Sequence, residues 1–535
     1  MNKTFPNIIL VLFISSIFIN CANRGTPQGG PKDETPPVII SSSPENYSTN
    51  FKGDEIKIQF DEYIKIDDLQ KQLIISPPMK TQPEISPLGG ASKYISIKIT
   101  DTLQPNSTYA FNFGNSIKDH NEGNPYPYYR YVFSTGDYID SLSVKGDIQD
   151  ALLTKPETFV NVGLYEVDST FTDSIIYKEV PKYITNTLDS ATTFSIENIK
   201  PGKYMLMALK DNNGDNRFQQ NSDQIAFHKN FIELPTDSTY TLRLFNEALD
   251  FNAKRPSLIS GNKIAFGYEG SYENMNIELL SETPEDFDYR ITKDSKTDSL
   301  LYWYKPNLEV DSLVFKVSNP IFKFEEEFTA RIRNLDRDSL NLDSNPSGAI
   351  GIDEAFEISA NTPLIEFNKS KVYITDRDSS LVDFTSNFDT IKNTYSFNFD
   401  KTESNNYEIQ ILPEAFIDFY NDTNDTLFYT LNTRKESEFG YARFTLINAP
   451  LPIIIQLTDK SGVVKVQRIV KEQGDVDFLN MPPGIYPIRI ILDANGNGKF
   501  DTGNYLKKMQ PERVIHFNEI EIRADWGIQE TLSFN

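Results

Sequence analysis

The sequence predicts an all-β protein made of several β-sandwich domains in tandem. Stretches such as Ile56–Phe60, Tyr94–Ile99 and Tyr109–Phe113 alternate apolar and polar residues, as half-buried strands do. Clusters of Pro, Gly, Asn and Asp separate such stretches every ~8–12 residues, which is typical of sandwiches. The chain has 535 residues, enough for several domains, and 37 Phe and 27 Tyr supply their apolar cores.

The N-terminus predicts export and a lipid anchor. Lys3 is followed by the apolar run Ile8–Ile19, which suits a signal peptide and is too short to span a membrane. The chain's single cysteine, Cys21, follows this run. A lone cysteine in this place resembles a bacterial lipobox, which implies cleavage after residue 20 and a lipid on the Cys21 thiol. The alternative is an ordinary signal peptide with an incidental cysteine.

Composition limits the partners. The formal charge of −24 repels phosphate backbones, so we expect no nucleic-acid partner. Residues 21–36 consist mainly of Gly, Pro and charged or polar residues, which predicts a flexible tether between membrane and folded chain. Once Cys21 is acylated no disulfide can form, so each domain depends on its apolar core.

An internal repeat divides the folded part. Two segments share five residue types at a constant offset of 282 positions (for example 486 − 204). The members of the first segment are Asn198, Gly202, Tyr204, Asp211 and Phe218, and their counterparts are Asn480, Gly484, Tyr486, Asp493 and Phe500. A looser similarity relates Ile56–Phe60 to Ala355–Ile358. The chain is therefore expected to contain two copies of a two-domain unit around a middle domain.

These motifs carry family resemblances. Phe60–Glu62, Leu103–Tyr109 and Phe133–Gly136 resemble the bacterial Ig-like domain first described in surface-layer proteins. The Asn-x-x-Pro-Gly-x-Tyr motifs at 198–204 and 480–486 resemble prealbumin-like sandwiches of the Cna-B or carboxypeptidase-regulatory type. The complete arrangement is similar to an outer-membrane lipoprotein family of the Bacteroidota.

The resulting prediction is a set of tandem Ig-like and prealbumin-like β-sandwiches behind a lipoprotein signal peptide. Its divisions are 1–20 signal peptide, 21–36 tether, 37–137 bacterial Ig-like domain, 138–255 prealbumin-like sandwich, 256–345 sandwich of uncertain type, 346–436 second Ig-like domain and 437–535 second prealbumin-like sandwich.

One loop predicts a structural calcium site. Asp493, Asn495, Asn497 and Asp501 place side-chain oxygens at positions 1, 3, 5 and 9, with a glycine at position 6, as calcium loops do. The twelfth position holds Asn504 instead of the usual glutamate. The alternative is an Asx-rich turn that needs no metal. No other cofactor is expected.

No catalytic motif is apparent. The three histidines, His120, His228 and His516, fall in different domains, and acidic groups such as Glu325–Glu327 are explained as solvated or edge-strand residues. The aromatic run Pro125–Tyr131 predicts a protein-contact patch. We therefore expect a non-enzymatic protein.

The function expected is that of a structural or interaction subunit of an outer-membrane complex, anchored through Cys21, with outer-membrane proteins as partners. The family resemblance further implies a link to outer-membrane protein assembly, and it leaves open which face of the membrane carries the protein. The alternative is a glycan-binding surface lipoprotein of a polysaccharide-uptake system. An enzyme with an unrecognised carboxylate site is the third hypothesis.

Overall fold

The computed structural model of the protein describes residues 33–188 and 191–534. In these ranges the only α-helix is α1 (Leu69–Gln72), and single 3₁₀ segments occur at Asp173–Tyr177, Lys369–Lys371 and Glu436–Glu438. The rest of the regular structure is strand, which confirms the all-β prediction. Cys21 and the predicted signal peptide lie outside the described residues.

The first sandwich packs a sheet of order β1-β2-β5-β4, with β7 also on β2, against a sheet of order β3-β6-β8. Its core is aromatic and aliphatic, with Phe60, Phe111 and Phe133 at 0% exposure. The predicted alternating stretches fall on β2, β5 and β6. The strands are β1 (Ile39–Ser43), β2 (Glu55–Ile66), β3 (Ile74–Ser76), β4 (Glu84–Ser86), β5 (Ser92–Lys98), β6 (Thr108–Asn112), β7 (Ile117–Asp119) and β8 (Arg130–Ser134).

The second sandwich has a different topology. Its first strand, β9, is central in the three-stranded sheet β12-β9-β16, where β12 is antiparallel and β16 parallel to it. The facing sheet has the order β11-β10-β13-β14, with β15 also on β13. The strands are β9 (Leu142–Asp150), β10 (Asn161–Glu166), β11 (Tyr183–Asn186), β12 (Thr193–Ile199), β13 (Gly202–Lys210), β14 (Gln224–Phe227), β15 (Ile232–Leu234) and β16 (Thr239–Leu244).

The middle sandwich repeats the strand order of the first. One sheet is β18-β19-β22-β21, with β17 also on β19, and the other is β20-β23-β24. The sequence left the type of this domain open, and its connectivity is that of the first sandwich except for the extra strand, since β17 precedes β18 whereas β7 lies between β6 and β8. The strands are β17 (Asn252–Ala253), β18 (Ser257–Ser260), β19 (Lys263–Glu269), β20 (Asn276–Leu279), β21 (Asp288–Lys293), β22 (Ser299–Lys305), β23 (Ser312–Asn319) and β24 (Phe324–Arg331).

The fourth sandwich pairs the sheet β25-β27-β31-β30 with the sheet β26-β34-β32-β29, and β28 pairs with β33. Its strands are β25 (Leu342–Asn345), β26 (Gly348–Ile350), β27 (Phe356–Ala360), β28 (Leu364–Phe367), β29 (Val372–Asp376), β30 (Phe384–Asp389), β31 (Thr394–Phe399), β32 (Asn406–Ile411), β33 (Phe416–Asp418) and β34 (Leu427–Thr433).

The last sandwich has the topology of the second, as the sequence repeat implies. β35 is central in the sheet β38-β35-β41, antiparallel to β38 and parallel to β41, and the facing sheet is β37-β36-β39-β40. The strands are β35 (Gly440–Ile447), β36 (Ile453–Thr458), β37 (Val464–Val470), β38 (Asp475–Met481), β39 (Gly484–Leu492), β40 (Val514–Ile522) and β41 (Gly527–Ser533).

Among the described residues, three strands contain buried runs of five or more consecutive residues and are therefore buried on both faces. Every residue is buried in the runs 204–209 of β13, 300–304 of β22 and 453–458 of β36. Successive side chains of a strand point to opposite faces, so burial of a whole run means that something covers the outer face of the sheet. In β13 and β22 the cover comes partly from another sandwich of the same chain.

The tandem sandwiches also pack on one another beyond their order in the sequence. The second and last sandwiches, far apart in sequence, pack directly on each other, and one hydrophobic cluster contains residues of both. The middle and fourth sandwiches share another such cluster. The physical reason is that continuous apolar runs leave two apolar faces per strand, and only the inner face is used by the sandwich itself.

Candidate functional site

The loop after β13 is organised by two aspartates. The Asp211 carboxylate accepts three backbone N–H groups from residues 213–216, at 2.7 to 3.1 Å. Asp223 is 1% exposed and accepts the N–H groups of Asn212 and Gln219, at 3.2 and 2.9 Å. Hydrogen bonds from the backbone to buried carboxylates thus hold the loop.

The corresponding loop after β39 brings together all four predicted calcium ligands. Asp493, at 0% exposure, accepts the N–H groups of Asn497 and Gly498, at 3.0 and 2.9 Å. The side-chain amides of Asn495 and Asn497 both donate to Asp501, and the amide oxygens accept the N–H groups of residues 497 and 499. Each of the four side chains is therefore engaged by hydrogen bonds within the loop.

A fifth side chain, Glu512, belongs to this loop and was missed by the sequence motif. Its carboxylate accepts the N–H groups of Ala494 and Asp501, at 2.8 and 3.1 Å. These donors lie 282 positions after the two that Asp223 binds (494 − 212 and 501 − 219). Glu512 itself lies 289 positions after Asp223 (512 − 223), so the last loop carries seven extra residues (289 − 282) before the same contact. This change of offset is the signal that identifies Glu512.

Metal binding at this loop would depend on amide oxygens. Across residues 33–188 and 191–534, no three His, Cys, Asp or Glu side chains form a group that could hold a metal ion. Asn495 and Asn497 would have to supply oxygens beside the carboxylates of Asp493 and Asp501. The calcium site stays a prediction.

The seven extra residues contribute to a plug, residues 504–510, which enters the outer face of the second sandwich. Tyr505 is 0% exposed, and its hydroxyl lies 2.8 Å from Sδ of Met205 and 3.3 Å from a carboxylate oxygen of Asp173. The Tyr505 backbone N–H donates to Glu247. A residue of the last sandwich is thus part of the second sandwich's apolar cluster.

Polar contacts surround the buried tyrosine. Lys508 Nζ donates to Asp173 at 2.6 Å and lies 3.9 Å from the centre of the Tyr505 ring. Gln510 donates to the carbonyl of Phe227 at 2.9 Å. Burial raises the pKa of Tyr505, so its hydroxyl stays protonated. Burial also raises the pKa of the Glu247 carboxyl above its usual 4.5.

A second contact between these sandwiches involves a buried arginine. Arg489 of β39 is 6% exposed; its Nε donates to Gln456 at 2.8 Å and a terminal nitrogen donates to the Leu152 carbonyl at 3.1 Å. His516 pairs with Arg489 across the sheet. Burial first, and the Arg489 charge second, lower the pKa of His516.

The contact between the middle and fourth sandwiches is aromatic. Trp303 is 1% exposed, its indole N–H donates to Thr292 at 3.0 Å, and it packs in one cluster with Leu301 and Phe419. Lys305 Nζ donates to the Phe419 carbonyl at 2.6 Å. Trp303 is thus structural and is not available to a ligand.

The aromatic run Pro125–Tyr131 contains both buried and exposed residues. Tyr131 is fully buried, and burial raises its pKa to about 12, whereas Tyr128 is half exposed. Arg130 donates to the Asn198 side chain of the second sandwich at 2.7 Å. Tyr129 and Tyr131 therefore belong to the core and Arg130 to a contact with the second sandwich, whereas Pro125, Pro127 and Tyr128 are exposed, and a contact patch for an external partner stays a prediction.

The remaining candidates stay apart. His120, His228 and His516 lie in the first, second and last sandwiches. Glu325–Glu327 are exposed on β24, an edge strand, where charge discourages pairing with other chains. None of the helices among the described residues has the length and apolar composition needed to cross a membrane.

Two family models match parts of the chain. Residues 33–135 match the bacterial Ig-like domain (Big_5), so the first sandwich is a bacterial Ig-like domain. Residues 151–263 match a family described as an uncharacterized protein conserved in bacteria (DUF2141). No curated protein matches the chain.

Among solved structures, the chain is similar to the S-layer protein rSbsC(31-844), with 11% identity, 90% of this chain and 67% of that chain covered, and a TM-score of 0.15. The Bacillus anthracis TIE protein is 12% identical to this chain. The match covers 100% of this chain and 79% of that protein, with a TM-score of 0.14. The BSP domain of a biofilm-associated protein is 8% identical to this chain. The match covers 77% of this chain and 99% of that domain, with a TM-score of 0.14. Such low values support no inference about function.

Proposed function

We propose that the protein is a non-enzymatic structural and interaction lipoprotein of the outer membrane, anchored through Cys21. The observation that carries this proposal is the docking of the last sandwich on the second through the plug. Contacts between residues 332 to 335 positions apart, such as Tyr505 and Lys508 with Asp173, hold distant surfaces in fixed positions. A rigid arrangement of this kind suits a subunit that presents several surfaces to partners.

The start of the folded part supports a tether on its N-terminal side. Asn124 of the first sandwich donates to the carbonyls of Asp33 and Thr35, at 2.8 and 3.1 Å, and Val38 N–H donates to Asp61. Asp33 and Thr35, near the end of the proposed 21–36 tether, are therefore held against the first sandwich, and we propose that the tether leads from there to the membrane. We also propose the seven-part division given above, with sandwiches at 37–137, 138–255, 256–345, 346–436 and 437–535.

The finer part of the proposal rests on the resemblance to Bacteroidota lipoproteins. It places the protein in an outer-membrane complex with outer-membrane proteins as partners, in the assembly of such proteins. The second candidate, a glycan-binding lipoprotein of a polysaccharide-uptake system, is favoured by one observation, which is an exposed tryptophan in a cleft of the last sandwich.

The anchor is tested with Cys21→Ser in cells that receive a fatty-acid label. We expect the wild type to incorporate label and sediment with the outer membrane, and the variant to be unlabelled and soluble, mislocalised or uncleaved. A variant that sediments and labels like the wild type would show that Cys21 is not the anchor. In a pull-down from solubilised membranes, stoichiometric membrane proteins support the proposed role, and retention on glycan resin alone supports the second candidate.

A structural calcium ion in the last sandwich is a further part of the proposal. The structure brings Asp493, Asn495, Asn497 and Asp501 into one loop, and Glu512 adds a carboxylate nearby. With so few carboxylates we expect weak binding, with a Kd of about 10⁻⁴–10⁻³ M, as in extracellular modules.

A further inference from the structure

A cleft of about 570 Å³ lies where the fourth and last sandwiches join. We name it the junction cleft, and its size falls within the range of ligand sites, roughly 300–1,000 Å³. The fourth sandwich contributes Glu403 and Ser404, and the last sandwich contributes Tyr441 and the turn at Trp526. The connection between the two sandwiches contributes Lys435, Glu436, Ser437 and Phe439.

Exposed apolar side chains are concentrated on its last-sandwich wall. Trp526 is 65% exposed, Leu479 59% and Tyr441 40%. The other tryptophan of the chain, Trp303, is 1% exposed. Single exposed apolar residues are common on protein surfaces, but three of them around one concave site suggest recognition.

The backbone that carries Trp526 and the ring of Tyr441 are held in place. Asp525 N–H donates to the Phe439 carbonyl at 2.9 Å, and Tyr441 N–H donates to the Trp526 carbonyl at 3.2 Å, so hydrogen bonds fasten the turn on both sides of the indole. The Tyr441 ring lies against the backbone of Gly527, where an added Cβ would be 2.1 Å from the ring. Any other residue at 527 would displace the ring. A fixed aromatic face such as that of Tyr441 loses little entropy when a ligand stacks on it.

Polar groups of the cleft have unused capacity. Within the described part of the chain, the carboxylates of Glu436 and Asp525 and the Lys435 ammonium accept or donate no hydrogen bond and form no ion pair. Glu403 uses one carboxylate oxygen to accept Glu436 N–H at 2.8 Å. Three carboxylates against one ammonium repel an anionic ligand. Hydroxyl groups suit this set, because they donate to carboxylates and accept from an ammonium.

We propose that the junction cleft binds a short neutral glycan. One sugar ring places its C–H face on Trp526, with Tyr441 beside it, and the ring hydroxyls donate to Asp525 and Glu436. Lys435 donates to a sugar oxygen and also repels a cationic peptide, the other ligand that carboxylates and an indole would suit. This proposal rests on the second candidate function, for which it assigns the site and the ligand class, and it depends neither on the lipid anchor nor on a protein partner.

The test uses acrylamide quenching of tryptophan fluorescence in the full-length protein. Because Trp303 is buried, the quenched emission reports on Trp526. The probes are maltotriose, cellotriose, xylotriose and triacetylchitotriose. We expect at least one to protect Trp526, with a Kd of about 1 mM or lower. Calorimetry with that sugar should show at least an approximately tenfold weaker Kd for Trp526→Ala and for Asp525→Asn.

The matched control is Phe428→Ala, which removes an aromatic side chain that is 70% exposed and lies outside the cleft. This variant should bind the sugar like the wild type. The proposal is overturned if none of the four sugars protects Trp526 at about 10 mM. It is also overturned if Trp526→Ala binds as tightly as the wild type, or if a Lys-rich peptide or polygalacturonate binds more tightly than every neutral sugar.

Discussion

In the two related loops, carboxylate side chains accept the backbone N–H groups that in a strand or helix would bond to backbone carbonyls. Asp211 and Asp493 begin their loops by accepting backbone N–H groups, and Asp223 and Glu512 close them. Buried N–H groups are costly to leave unpaired, at roughly 1–3 kcal/mol each. These acids therefore have a structural role that is independent of any metal.

Calcium dependence of the last loop can be measured on Asp493→Ala. We expect the wild type to melt a few degrees higher in millimolar calcium than in chelator, since occupancy at ten times Kd adds about 1.4 kcal/mol. The variant should lose this difference, and it should also melt lower in chelator because two N–H groups lose their acceptor. Asp211→Ala in the other loop is the matched control and should keep the calcium response. A wild type that ignores calcium would identify an Asx-rich turn.

His516 gives a pH-dependent contribution to stability. Its pKa lies below the usual 6.5, so the folded protein holds it neutral while the unfolded chain takes up a proton. This contribution is complete above about pH 6.5 and is lost as the pH falls through the folded-state pKa. Between about pH 7.5 and pH 5.5, the melting temperature of the wild type should therefore fall more than that of His516→Gln. His120→Gln, at an exposed site, should behave like the wild type; equal slopes for all three proteins would contradict the assignment.

Strands with two buried faces connect the sandwiches. In β13 the inner face carries Tyr204 and Leu206, and the outer face carries Met205 and Met207 beneath the plug. A strand on a solvated face, such as β5, alternates instead, with Tyr94 42% exposed on its outer side. The outer faces of β13 and β22 are thus docking surfaces inside the chain.

A substitution to lysine distinguishes an outer face that another sandwich covers from an outer face that is solvated. Met207→Lys buries a charge without a partner, which we expect to destabilise the second sandwich by about 3–5 kcal/mol. Tyr94→Lys, on the solvated face of the first sandwich, should change stability by no more than about 0.5 kcal/mol. Hydrogen exchange of the β13 and β5 amides measures the stability of the second and first sandwiches separately. Unchanged protection of β13 in Met207→Lys would show that its outer face is open.

The strands also show what sequence alone can establish. Alternation identifies β2, β5 and β6, because one buried face leaves a period of two, and the repeated Asn-x-x-Pro-Gly-x-Tyr motif leads into β13 and β39. The same reasoning fails for the surroundings of β13, since a continuous apolar run does not say what covers its second face. Tyr505 and Glu512 were missed because Tyr505 binds residues far away in the sequence and Glu512 lies outside the motif's spacing.

For the complete chain, the plug decides between a closed and an open arrangement. Removing a buried tyrosine ring costs about 3–5 kcal/mol, and a carboxylate in its place costs more. Tyr505→Asp should therefore release the last sandwich from the second and increase the radius of gyration in small-angle X-ray scattering. The exposed-site variant Phe428→Asp should leave it unchanged.

A zero-length carbodiimide cross-link gives an independent measurement. In the wild type it should join Lys508 to Asp173, whose charged atoms are 2.6 Å apart, and Tyr505→Asp should abolish this product. The Lys371–Glu414 pair, at 2.7 Å within the fourth sandwich, should cross-link in both proteins. A Lys508–Asp173 product that persists in the variant would mean that the plug does not depend on Tyr505.

The seven-residue difference between the two related loops has a consequence for assembly. The insertion is present in the last sandwich, and the surface that receives the plug belongs to the related second sandwich. The contact therefore joins two unlike surfaces. Unlike surfaces pair head to tail, and between separate molecules such pairing either closes into a ring or propagates as a filament. Within one polypeptide the plug is satisfied internally at a high effective concentration. The duplication thereby removes this contact as a route to self-association, unless the internal contact opens and the plug is exchanged between two molecules by domain swapping.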